Sequence, residues 1–185
     1  FVLGDTAVAA GTRVTVNLPV SVMADHTPVT LSAHVIHGKK AGPTFFVSAG
    51  VHGDEVIGVE IVRRLLGFDG LDTLRGTLIV VPIVNTYGFL MRSRYLPDRR
   101  DLNRLFPGRP DGGVTEKIAD YVFRELVARA DYVLDIHAGG KTLNFVPFAA
   151  DICGNGQAGR AGTDDADLFT GFGFDRRNFN QPLLA

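Results

Sequence analysis

His52 and Glu55, in Ala49-Gly50-Val51-His52-Gly53-Asp54-Glu55, and His137, in Asp135-Ile136-His137-Ala138-Gly139-Gly140, are the side chains of this sequence best suited to chemistry. Two imidazoles and a carboxylate form a three-ligand zinc set that leaves one coordination position open for water or substrate. A His-x-x-Glu pair alone is a weak signal, because short motifs arise by chance and usually lie on solvated helices. Three features favour metal over that reading. The pair follows an apolar run, glycines accompany it, and a second histidine closes a similar run downstream. His26, His34 and His37 lack a carboxylate or cysteine at ligand spacing and are expected to be structural.

The elements that must position these groups follow from hydrophobic periodicity. Residues 12–16 and 30–36 alternate as half-buried strands, separated by Pro19, an Asp25-His26 turn and Pro28. Residues 38–43 read as a turn before a buried strand over 44–48. From Glu55, the residues Val56, Val59 and Val62, then Ile61 and Leu65, recur at helical spacing until Gly67 and Gly70 end the helix. Residues 77–84 form a continuous apolar run, the pattern of a strand buried on both faces. Strand, helix and strand make a parallel crossover unit. Thr115 can cap a helix whose apolar rows are Ile118, Val122, Leu126 and Ala119, Phe123, Val127. That helix leads to a strand over 132–136 and so to His137. In an open α/β sheet the carboxyl ends of parallel strands share one crevice, where the two distant histidines can meet.

Bulk properties narrow the class. The chain has 185 residues, a net charge of −1 and a single cysteine, Cys153. That length supports one domain with a real core, and the charge gives no reason to expect nucleic acid or an anionic membrane as partner. One cysteine excludes an internal disulfide framework and fits a cytoplasmic setting. No apolar run approaches the length of a membrane span, and no signal peptide is visible. We divide the chain into N-terminal strands over 1–43, a metal-site core over 44–150, and a Gly/Asp-rich loop and tail over 151–185. The core includes a further strand candidate at 141–148.

Between Asn85 and Gly113 the periodicity disappears and arginine accumulates at 92, 94, 99, 100, 104 and 109. Loops of this length in a compact domain are usually functional, and guanidinium forks suit carboxylate recognition. A solvated charged loop is the competing reading. Gly140-Lys141-Thr142 looks like the end of a phosphate-binding loop but fails, because the glycine required five residues earlier is Asp135.

With His52-Gly53-Asp54-Glu55, Asp101-Leu102-Asn103-Arg104 and Asp135-Ile136-His137 in this order, the chain resembles the succinylglutamate desuccinylase and aspartoacylase family of zinc deacylases over about residues 30–150. Residues 112–121 and 139–142 look most like the branch that deacetylates N-acetyl-diaminobutyrate in ectoine breakdown. The resemblance implies an α/β fold of the zinc carboxypeptidase type, a mixed sheet with helices on both faces. It implies one zinc per chain, held by His52, Glu55 and His137. Arg94 matches the arginine that polarises the scissile carbonyl, and Asn103 and Arg104 match the pair that holds the substrate carboxylate. Asp135 is a candidate acceptor for the free N–H of a ligand histidine. The implied partner is a small acidic N-acyl amino acid, whose amide is hydrolysed by zinc-activated water.

One departure from the family pattern changes the expectation. The family takes its general base from a glutamate well after the second histidine, whereas the last glutamate here is Glu125. The general base is therefore not assigned within this chain, which we expect to be a truncated catalytic domain, incomplete at its C-terminus. Substitution by Asp151, Asp164, Asp165, Asp167 or Asp175 has no family context. A chain this short would leave part of its sheet uncovered, which points to a possible homodimer. Two other functions use the same residues: a metallocarboxypeptidase, and a non-catalytic zinc or metabolite-binding homologue lacking the base.

Overall fold

A computed structural model describes residues 1–22 and 25–139. The strand candidate at 141–148 and the tail over 151–185 lie outside the described residues. A two-stranded antiparallel piece, β1 (Val2–Leu3) and β2 (Thr6–Ala7), precedes a five-stranded sheet. The sheet strands are β3 (Thr12–Val22), β4 (Pro28–His37), β5 (Lys40–Ala49), β6 (Arg75–Val81) and β7 (Tyr132–Ile136). Their spatial order is β3-β4-β6-β5-β7. β3 pairs antiparallel with β4 and β4 with β6, whereas β5 runs parallel to both β6 and β7. The helices are α1 (Val56–Leu66), α2 (Thr86–Met91) and α3 (Val114–Glu125).

The alternation along the central strands sorts side chains onto two faces. Phe46, Ile79 and Val81 enter one core with Ile118, Ala119 and Val122 of α3. Val47, Ala49, Leu78 and Val80 enter a second core with Val62 of α1. Helices thus cover opposite faces of a mixed sheet, as expected for the zinc carboxypeptidase-like fold. The chain passes from β5 through α1 to its neighbour β6, then returns through α3 across β5 to β7. The direction of winding reverses beside β5, the kind of switch point where the carboxyl ends of parallel strands leave a crevice.

Several local expectations need correction. Residues 40–43 belong to β5 rather than to a turn, because Lys40 already aligns with Arg75; the ladder then shifts before Thr44 pairs with Thr77. β3 continues through Pro19 to Val22 across an irregularity between Pro19 and Ser21, and Pro28 begins β4. A proline that cannot donate is tolerated on an edge strand. The buried face of α1 is Gly58 and Val62, with Leu65 and Leu66 packed against the core. Val56 and Ile61 point outward, 38% and 49% exposed. The helix is rotated because Gly58 lies against β7: a Cβ there would come within 3.0 Å of the Ile136 carbonyl oxygen. Thr115 is not the cap of α3. Gly113 holds that position, and Glu116 Oε2 accepts the Gly113 N–H at 2.9 Å. The segment after Asn85 contains α2, which periodicity missed because its six residues leave Leu90 and Met91 exposed.

Candidate metal centre

His52 and Glu55 lie on the loop that leaves β5. Gly50 turns the chain at φ +64°, a left-handed conformation that glycine adopts without a Cβ clash. Val84 N–H donates to the Ala49 carbonyl at 3.0 Å and Asn85 N–H to the Gly50 carbonyl at 2.8 Å, tying the loop to the segment after β6. Glu55 caps α1. The β5–β7 ladder aligns Ala49 with Ile136. His52, a short loop beyond Ala49, and His137, next after Ile136, therefore emerge at the same end of the sheet.

Both imidazoles face the Glu55 carboxylate. His52 Nδ1 lies 2.7 Å from Oε1 and His137 Nδ1 lies 2.9 Å from Oε2, which also accepts the Ala138 N–H at 2.9 Å. The rings are 5.0 Å apart between centroids. Each far nitrogen meets another carboxylate. Asp101 Oδ1 is 3.0 Å from His52 Nε2. Asp135 Oδ2 is 2.7 Å from His137 Nε2, an ion-pair contact that lacks the alignment of a hydrogen bond. Ser48 donates its hydroxyl to Asp135 Oδ1 at 2.6 Å. His52 and Glu55 are buried, and the His137 side chain is 24% exposed, so the cluster opens towards solvent on one side.

The electrostatics follow from this packing. Burial pushes the Glu55 carboxyl up, but hydrogen bonds from His137 and His52 outweigh it and bring it down to about 2. Burial pushes His137 down, and the charges and contacts of Asp135 and Glu55 overcome that, raising it to about 10. His52 is raised as well: burial is opposed by Asp101 and Glu55, with His137 repelling its proton. Asp101 is lifted by burial and pulled well below the usual carboxylate range by His52 and Arg94.

Arg94 stands beside this cluster, its Nε donating to Asp101 Oδ2 at 3.0 Å and one terminal nitrogen 3.9 Å from Glu55 Oε1. Asn103 is buried, and among the described residues neither its amide oxygen nor its amide nitrogen has a hydrogen-bond partner. A buried amide left without a partner is costly. Arg104 is exposed on the same short 3₁₀ turn, Leu102–Arg104. Asp98 fixes this arginine-rich segment to α3 by accepting from the Thr115 hydroxyl at 2.6 Å. The structure thus gathers His52, Glu55, His137, Arg94 and Asp135 into one network. Sequence reasoning gave no role to Asp101, although a ligand histidine needs an acceptor for its second nitrogen and Asp101 lay in a motif already singled out. His34 and His37 lie elsewhere, each with Nδ1 2.9 Å from a threonine hydroxyl.

The donor set suits a divalent cation. One nitrogen of each histidine and one Glu55 oxygen lie within 4.8 Å of one another, and this is the one such group among the described residues. Their far nitrogens face carboxylates, the backing that makes imidazole a better metal donor.

The catalytic-domain model of succinylglutamate desuccinylase/aspartoacylase matches residues 41–163. This chain belongs to the succinylglutamate desuccinylase/aspartoacylase family. Family members similar to it include the N-alpha-acetyl-L-2,4-diaminobutyric acid deacetylase of Halomonas elongata, 47% identical over 110 residues, which cover 59% of this chain and 32% of that protein. The succinylglutamate desuccinylase of Photorhabdus laumondii is 32% identical over 99 residues, covering 47% of this chain and 30% of the relative. Among solved structures, the product-bound ectoine utilization protein EutE (DoeB) of Ruegeria pomeroyi superposes with a TM-score of 0.66 at 42% identity, over 74% of this chain and 43% of that one. The chain spans about a third of the length of the curated family members it matches. Among the described residues no helix is long and apolar enough to cross a membrane.

Proposed function

We propose that this chain carries the metal centre of a zinc-dependent deacylase acting on small N-acyl amino acids, with an N-acetylated diamino acid as the preferred substrate class. The convergence of His52 Nδ1, Glu55 and His137 Nδ1 beside Arg94 is the observation that carries the reading. The deacetylase and desuccinylase names of the relatives support the deacylase class. His52, Glu55 and His137 would hold one zinc. Bound zinc supplies Lewis acidity, lowering the pKa of water and polarising a carbonyl. Arg94 presents its guanidinium where charge develops on the acyl oxygen. The unsatisfied Asn103 amide and Arg104 hold the substrate carboxylate, and Asp135 orients His137. Glu125 does not serve as base in this reading, since it ends α3 and is paired with Arg129 just beyond the helix. Its single cysteine fits a cytoplasmic enzyme.

Metal content by mass spectrometry, with hydrolysis of N-acetyl-diaminobutyrate, N-succinylglutamate and blocked dipeptides before and after chelation, tests the proposal. About one zinc per chain is expected, and any acetate released should be lost on chelation. Zinc binding with no hydrolysis of any substrate favours the non-catalytic binding reading. Preferential cleavage of the blocked dipeptides would instead make the chain a carboxypeptidase.

Zinc uptake should also release protons. In the metal-free chain His137, raised to about 10, is protonated at neutral pH, and His52 is shifted the same way. Each must lose its Nδ1 proton before that nitrogen can donate to a metal. Apparent zinc affinity is therefore expected to rise with pH through neutrality, up to the raised pKa of His137. Calorimetry in buffers of different ionisation enthalpy should show net release of about one to two protons per zinc. Proton-neutral binding would show that both imidazoles are already neutral in the metal-free chain, against their pairing with the Glu55, Asp101 and Asp135 carboxylates.

A further inference from the structure

We infer that Asp101 is a positioning residue that couples the metal ligand His52 to Arg94, so that one carboxylate sets both the metal centre and the carbonyl-polarising guanidinium. The inference rests on the proposed deacylase site. Three donors converge on this side chain. Oδ1 faces His52 Nε2 at 3.0 Å and accepts the Asn103 N–H at 2.9 Å, while Oδ2 accepts from Arg94 Nε at 3.0 Å. An ionised carboxylate has acceptors only, so Asp101 holds a proton on His52 Nε2, and the Nδ1 proton facing Glu55 is the one released when that nitrogen donates to a metal.

Arg94 is held through Nε, which turns a terminal nitrogen towards the metal cluster, 3.9 Å from Glu55 Oε1. The link to the Asn103 backbone ties the same carboxylate to the turn that carries the substrate-binding pair. Asp135 does less: it faces one imidazole and spends its other oxygen on Ser48. The Asp101 side chain is only 14% exposed, so water is a poor substitute for any of its three donors.

The two oxygens have separate tasks, and substitutions can separate them. In Asp101→Asn, the amide oxygen at the Oδ1 position keeps the His52 and Asn103 bonds, two of the three, and places an NH₂ against Arg94 Nε. In Asp101→Ala all three are lost. The experiment uses the whole chain. It reads zinc affinity by chelator competition and the exchange-protected His52 Nε2–H and Arg94 Nε–H resonances by NMR, assigned from His52→Ala and Arg94→Ala.

Asp101→Asn should keep the His52 resonance, hold zinc affinity within about tenfold, and lose protection of the Arg94 proton. Asp101→Ala should lose both resonances and weaken zinc by about 10–100-fold. Asparagine keeps the cap of the Leu102–Arg104 turn, so Asp101→Asn decides the matter if Asp101→Ala does not fold. Unchanged zinc affinity in Asp101→Ala, or an undisturbed Arg94 proton in Asp101→Asn, overturns the coupling while leaving the metal site standing. A wild-type chain that binds no zinc overturns the deacylase reading itself.

Discussion

Replacing His52 by alanine is expected to abolish stoichiometric zinc binding, and His137→Ala should do the same. Apparent free energies of protein zinc sites are on the order of 10 kcal/mol or more. One of three protein ligands then accounts for roughly 3 kcal/mol at least, and its loss weakens binding by about 100-fold or more. For His52 the loss is compounded by burial. Its ring is 1% exposed and separates two carboxylates, Glu55 and Asp101, each of which loses its imidazole donor in the variant. Uncompensated buried charge is strongly unfavourable, so the metal-free variant should also melt earlier than the wild type. Dialysis against trace zinc followed by mass spectrometry reads the result directly. His37→Ala is the matched control, since its ring bonds to Thr77 and touches no member of the cluster. A zinc-to-protein ratio near one in either cluster variant would dismiss the site.

Gly53→Ala should be the most damaging small substitution in the loop. A Cβ at this position would stand 1.9 Å from the carbonyl carbon of Gly88 and 2.2 Å from both its oxygen and the Phe89 nitrogen. All three are backbone atoms, so no side-chain rotation relieves the overlap. The metal loop and α2 must separate, and the bond from Gly53 N–H to the Ser93 carbonyl at 3.0 Å goes with them. Overpacking against rigid backbone costs about 3 kcal/mol. Ser93 immediately precedes Arg94, so the separation displaces the guanidinium from the cluster as well. Urea denaturation of the metal-free chain measures the cost. Gly67→Ala provides the contrast: its Cβ would meet the Arg64 carbonyl oxygen at an ordinary 3.6 Å with φ at −90°, and stability should be unchanged or slightly higher. Equal midpoints for the two variants would refute the close approach.

Much of the fold was legible because burial leaves a periodic trace. The apolar runs ending at Ser48 and Ile136, and the run beginning at Thr77, identified strands β5, β7 and β6. The spacing of Ile118, Ala119 and Val122 located the buried face of α3. Where the trace is short or is set by a neighbour, it misled. α2 has too few residues to show a helical stripe, and the outward turn of Ile61 follows from β7 lying against Gly58. The proposed cap at Thr115 failed for the same reason, because its hydroxyl is engaged by Asp98 from a distant loop.

The sequence by itself determined which residue types were available for metal chemistry, the glycines that let the loop turn at His52, and the strand and helix segments that carry them. Local spacing encodes these because they depend on neighbours within a few residues. Only the tertiary structure decided that β7 pairs in parallel with β5, which brings His137 onto a Glu55 oxygen from 82 residues away. It also decided that Asp101 lies between His52 and Arg94. Those contacts come from sheet register and from the packing of one loop on another. Their energies are shared among many residues, so no single stretch of sequence carries their imprint.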